Sequence, residues 1–79
     1  MRTPRNASAA DIISFLKKQG YFVARQTGSH IRMTKEMPSG QHHITVPNHD
    51  PVRIGTFKVI AKEFCIANNY SITEFYNQL

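Results

Sequence analysis

The chain has 79 residues, and ten Lys and Arg against five Asp and Glu give a formal charge of +5. That length holds one domain with a modest core and excludes a second; the positive surplus points to a polyanion or an acidic protein as partner. A single cysteine, Cys65, excludes an internal disulfide and fits a reducing compartment.

Residues 1–7 read as a basic amino-terminal arm and residues 8–79 as the single domain. No apolar stretch of the kind found in a secretory signal follows the charged Met1–Asn6 segment, and no run is long and apolar enough to cross a bilayer. A cytoplasmic protein without a membrane anchor is expected.

Ser8-Ala9-Ala10-Asp11 has the form of a capping box, with Ser8 as N-cap and Asp11 three residues on. Apolar residues then recur at Ala9, Ile12, Ile13 and Leu16, with Phe15 widening the stripe, so a helix is predicted from Ala9 to Gln19. Lys17 and Lys18 suit its carboxyl end, and Gly20 is placed to end it.

Tyr21–Gln26 is aromatic and β-branched and predicts a strand. Thr27-Gly28-Ser29 turns it into a second strand over His30–Lys35, and Met37-Pro38-Ser39-Gly40 turns that into a third over Gln41–Val46. Period-two alternation puts Ile31 and Met33 on one face of the second strand and His30, Arg32 and Thr34 on the other. In the third, Ile44 and Val46 oppose His43 and Thr45, and His42 points away from His43.

Two prolines bracket the Pro47–Pro51 loop. Gly55-Thr56 opens a second helix whose Phe57, Ile60, Ala61 and Phe64 fall at i, i+3, i+4 and i+7. Asn68-Asn69 ends it, and a second capping box, Ser71 to Glu74, predicts a short final helix to about Gln78. The expected fold is therefore α+β, a three-stranded antiparallel sheet with two amphipathic helices on one face and the other face open. His30, Arg32, His43 and Thr45 are expected on that open face.

A proton carrier beside a permanent cation suits phosphodiester chemistry, and His30 with Arg32 is such a pair. His49 is expected near the start of the second helix, where Gly55, Thr56 and Lys58 combine free N–H groups with charge and suit a phosphate. Thr56 reads more simply as the N-cap of that helix. Arg25, Ser29, Arg32, His43, His49, Thr56 and Lys58 make up the RNA- or phosphate-binding candidates. The histidines lack metal-ligand spacing, so no metal site is expected, and Cys65 reads as a buried, inert thiol.

Four motifs in order resemble the HicA family, the toxin half of HicA–HicB toxin–antitoxin pairs. They are the Gly-aromatic step at Gly20-Tyr21-Phe22, the Gly-Ser-His signature closing Arg25–His30, the Val46-Pro47-Asn48-His49 strand end, and Gly55-Thr56 leading into Ile60. The resemblance spans about Ser8 to Phe75. It implies a double-stranded-RNA-binding-like α-β-β-β-α fold, here with a short extra carboxy-terminal helix. It further implies a metal-independent endoribonuclease that acts on mRNA without a cofactor, with His30 catalytic, and an acidic HicB-like antitoxin that covers the site. On this reading His30 takes the proton from a ribose 2′-OH, and Arg32, with Arg25, offsets charge on the phosphoryl oxygens.

The alternative is a non-catalytic RNA-binding module of the same fold. Such modules usually carry a dense lysine cluster at the start of the last helix, where this chain has only Lys58 and Lys62. A third reading is an interaction module whose sole partner is the antitoxin.

Overall fold

Helix α1 (Ala9–Lys18) begins where Ser8 accepts a hydrogen bond from the Asp11 N–H at 3.1 Å, in a computed structural model that describes residues 7–79. The predicted arm falls largely on residues 1–6, outside the described residues. Ala7 is buried in the core, and its carbonyl accepts from the Val52 N–H at 2.9 Å. At the other end of α1, Gly20 adopts φ +98°. Its N–H reaches the Lys17 carbonyl at 3.1 Å and that of Tyr21 reaches the Leu16 carbonyl at 3.0 Å. These two bonds form a Schellman motif, whose positive φ favours glycine.

The strands are β1 (Phe22–Thr27), β2 (His30–Met37) and β3 (Gly40–Pro47), paired antiparallel in the order β1-β2-β3. β2 runs two residues beyond its predicted end, because Glu36 opposite Gln41 and Met37 opposite Gly40 continue the ladder. The second turn is thereby reduced to Pro38-Ser39. After the sheet come α2 (Ile54–Asn68) and α3 (Ile72–Asn77). The α-β-β-β-α order with a short last helix is the double-stranded-RNA-binding-like α+β fold.

α2 begins one residue earlier than expected. Its N-cap is Arg53, with no side-chain cap bond, so Thr56 is the third helical residue and not the cap. α3 does follow its predicted signal: Ser71 accepts from the Glu74 N–H at 3.3 Å.

Helices α1 and α2 pack against β3. The predicted stripes meet there, with Ile12, Phe15 and Leu16 from α1, Phe57, Ile60 and Phe64 from α2, and Ile31, Met33, Ile44 and Val46 from the sheet. Phe75 of α3 is completely buried, and the Phe15 ring stands edge-on to Phe75 at 5.0 Å and to Phe64 at 5.2 Å. No residue of β1 is buried, so the first strand overhangs the helical layer with both faces toward solvent.

One irregularity decides which β1 side chains reach the open face. Val23 stands opposite Met33, but Arg25 stands opposite Arg32, leaving Ala24 as a β-bulge. Strict alternation from the buried Tyr21 would turn Arg25 toward the helices. The extra residue reverses that parity and sets Arg25 beside Arg32. The open face then carries four rows across the sheet: Thr27–His30–Pro47, Arg25–Arg32–Thr45, Phe22–Thr34–His43, and Glu36–Gln41.

The helix-facing side holds a polar network beyond the apolar core. Lys35 donates to the Asn68 side-chain oxygen at 2.6 Å, and the Asn68 amide donates to Tyr21 Oη and to the Phe64 carbonyl, each at 2.9 Å. Tyr21 Oη also meets His42 Nδ1 at 2.8 Å. His42 thus points away from His43, as alternation predicts.

Candidate functional site

His30 owes its position to a two-residue turn. Gly28 has φ +56° while Ser29 keeps a negative φ, the combination of a type II′ hairpin turn with glycine first. His30 is the residue after the turn, on the open face and exposed.

The end of β3 is tied to this turn through the Asn48 N–H, which donates to the Ser29 carbonyl. The loop that follows is anchored twice more: the His49 carbonyl accepts from the Ala9 N–H at 3.3 Å, and Val52 is held by Ala7. These main-chain bonds bring the loop beside His30. The result is an open cleft of about 460 Å³ lined by His30, Pro47, His49, Asp50, Arg53 and Thr56, together with Pro51 and Val52.

Three candidates, His30, His49 and Thr56, share this cleft. Arg53 and Asp50 join them, and neither was expected. Both sit between the Pro47 turn and the helix start, a place where sequence alone gives no face to a side chain. The amino end of α2 also borders the cleft, and no side chain caps it. Its first N–H groups and the positive end of its dipole favour an anion there, and Arg53 adds a full charge.

Arg25 and Arg32 occupy the adjoining row of the sheet, both exposed, so the cationic surface continues from the cleft along the open face. Ser29 takes part through its carbonyl, the acceptor for Asn48. His43 lies on the same face but two rows from His30, roughly 14 Å along the strands. Its Nδ1 meets the Thr34 hydroxyl at 2.9 Å, and Thr34 itself is buried although it lies on the open face.

Lys58 is not at the cleft. Two helical residues beyond Thr56 is about 200° around the axis, and Lys58 instead lines a separate shallow groove with Lys62, Cys65, Ile66, Tyr70, Ile72 and Tyr76. Cys65 is half-buried, and burial pushes its thiol pKa up, away from the thiolate that a nucleophile requires.

Among the described residues no group of three His, Cys, Asp or Glu is placed to hold a metal ion. Nor is any helix among them long and apolar enough to cross a membrane. Beside the Asp50 carboxylate, the cleft offers a phosphodiester two imidazoles, a guanidinium and a helix amino end: groups that move protons and groups that hold negative charge.

No curated protein and no solved structure matches the chain. Residues 9–65, well over half of it and including His30, His49, Arg53 and Thr56, match the family described as HicA toxin of bacterial toxin–antitoxin. The chain belongs to that family.

Proposed function

We propose that this toxin is a metal-independent endoribonuclease that cleaves mRNA in the His30 cleft. The observation that carries the reading is the convergence of His30, at the start of β2, and His49, in the loop after β3, on one cleft bordered by Arg53 and the uncapped end of α2.

In this mechanism neutral His30 takes the proton from a ribose 2′-OH, and the freed oxygen attacks the adjacent phosphorus. His49, in its protonated form, gives a proton to the departing 5′-oxygen. Arg53 and the α2 N–H groups stabilise charge that grows on the phosphoryl oxygens, and Arg25 and Arg32 hold the flanking backbone. The products are a 2′,3′-cyclic phosphate and a 5′-OH. An acidic HicB-like antitoxin silences the toxin by covering the same open face, which its carboxylates reach by charge attraction.

End-group analysis tests the chemistry. Cleaved RNA should carry 2′,3′-cyclic phosphate ends, and a substrate with 2′-deoxyribose at the cleaved position should remain intact. Cleavage of the deoxy substrate, or 5′-phosphate products, would remove the 2′-OH from the mechanism.

A further inference from the structure

Phe22 is 47% exposed at the start of β1. Its pairing with Thr34, and that of Thr34 with His43, sets it on the open face of the sheet, the face that carries His30. We infer that Phe22 is a stacking platform for an unpaired base, and that the open face takes RNA as a single strand. The inference rests on the proposed RNA-cleaving function and names the form of its substrate.

Order along the face is the first argument. The His30 row, the Arg25–Arg32 row and the Phe22 row follow one another at about 7 Å intervals, so roughly 14 Å separates the His30 row from the Phe22 row. That is a span of a few nucleotides of extended strand. The two arginines between them suit backbone phosphates, and Glu36 in the row beyond Phe22 closes the cationic track with a negative charge.

Chemistry is the second. Single-stranded nucleic acids are held by basic grooves combined with aromatic rings on which bases stack. In a duplex the base faces are already stacked on each other and cannot reach a ring on a sheet, so a ring in this position selects unpaired RNA. The third is that Phe22 has no place in the buried core.

The chain contains no tryptophan, so Phe22→Trp supplies a single tryptophan at the proposed platform, excited at wavelengths where the tyrosines do not absorb. In a His30→Ala background, which keeps the RNA uncut, a short unstructured single-stranded RNA should quench that fluorescence, and its blunt duplex should not. Phe22→Ala should weaken single-strand binding about tenfold, the usual effect of losing one stacked base. Phe22→Leu should weaken it similarly, although leucine retains the apolar bulk, and Phe22→Tyr should restore it. Unchanged affinity in both the Ala and Leu variants, an unquenched tryptophan, or equal quenching by duplex would overturn the inference while RNA cleavage itself stands. Loss of antitoxin binding in the Ala variant with RNA affinity intact would overturn it too, marking Phe22 as a protein contact. If no form of the protein binds RNA, the RNA-cleaving function fails first and this inference with it.

Discussion

Replacing Tyr21 with Phe removes one oxygen from the centre of the network that joins the sheet to α2. Tyr21 is buried, and its Oη bonds both Asn68 at 2.9 Å and His42 at 2.8 Å. Counting hydrogens assigns the roles. The two Asn68 amide hydrogens go to Tyr21 Oη and the Phe64 carbonyl, so Tyr21 accepts from Asn68, and its second bond joins it to His42 Nδ1. The variant strands one Asn68 N–H and leaves His42 Nδ1 without this partner. Each lost bond is worth about 1 kcal/mol net, and half-burial of both partners lets water replace part of it, giving about 1–2 kcal/mol in all. For a domain of this size each kcal/mol lowers Tm by about 4–8 °C.

The same substitution has a signature in pH. Burial raises the Tyr21 phenol above its ordinary 10.0, with donation from Asn68 opposing. The folded pKa therefore exceeds the unfolded one. Its contribution to stability is intact below the unfolded value and is lost as pH rises through the folded value. Urea unfolding at neutral pH and above 10 should show the variant less stable at neutrality and with a smaller alkaline loss than wild type. A variant as stable as wild type at neutrality would refute the contribution of these bonds, and one with the full alkaline loss would refute the raised Tyr21 phenol. Cleavage per folded molecule should not change, because the network faces the helices and not His30.

Salt dependence should separate the cations. If Arg25 and Arg32 each hold one phosphate, alanine at either should reduce the salt slope of RNA binding by roughly one, whereas Lys58→Ala should leave it unchanged, and the opposite ranking would move the RNA to α2. Gly28→Ala should cost about 1–2 kcal/mol in urea unfolding, the strain of a left-handed residue, because no atom lies within 4 Å of an added Cβ. Gly28→Asn should cost less, and equal losses would show that the φ of the turn is not the cause. His49→Ala should slow cleavage with RNA affinity maintained; an unchanged rate would leave the leaving group to water.

Features written in adjacent residues could be read from the sequence. Ser8 with Asp11, Ser71 with Glu74, Gly20 after two lysines and Gly28 before Ser29 each act within a few positions, and the elements begin and end close to them. The alternation that separates His42 from His43 is equally local. Features made by pairing distant segments were not legible. The bulge at Ala24 exists only in the match between two strands, and without it Arg25 has the wrong face. Thr56 carries a good capping side chain, yet α2 starts at Ile54 on a residue that caps nothing. Arg53 and Asp50 reach the cleft through main-chain bonds from Asn48, His49 and Val52 that have no sequence pattern. The placement of Lys58 was within reach, since helical geometry alone turns it away from Thr56.

The proposed chemistry meets its most direct test in one experiment: labelled single-stranded RNA incubated with purified wild type and with His30→Ala, each with and without EDTA. Wild type should cut equally well in both conditions. His30→Ala should fold with unchanged stability, because the side chain is exposed, and should lose about 10²–10⁴ in rate, the usual contribution of a general base. Equal cleavage by the two proteins, or cleavage abolished by EDTA, would contradict a metal-independent ribonuclease built on His30.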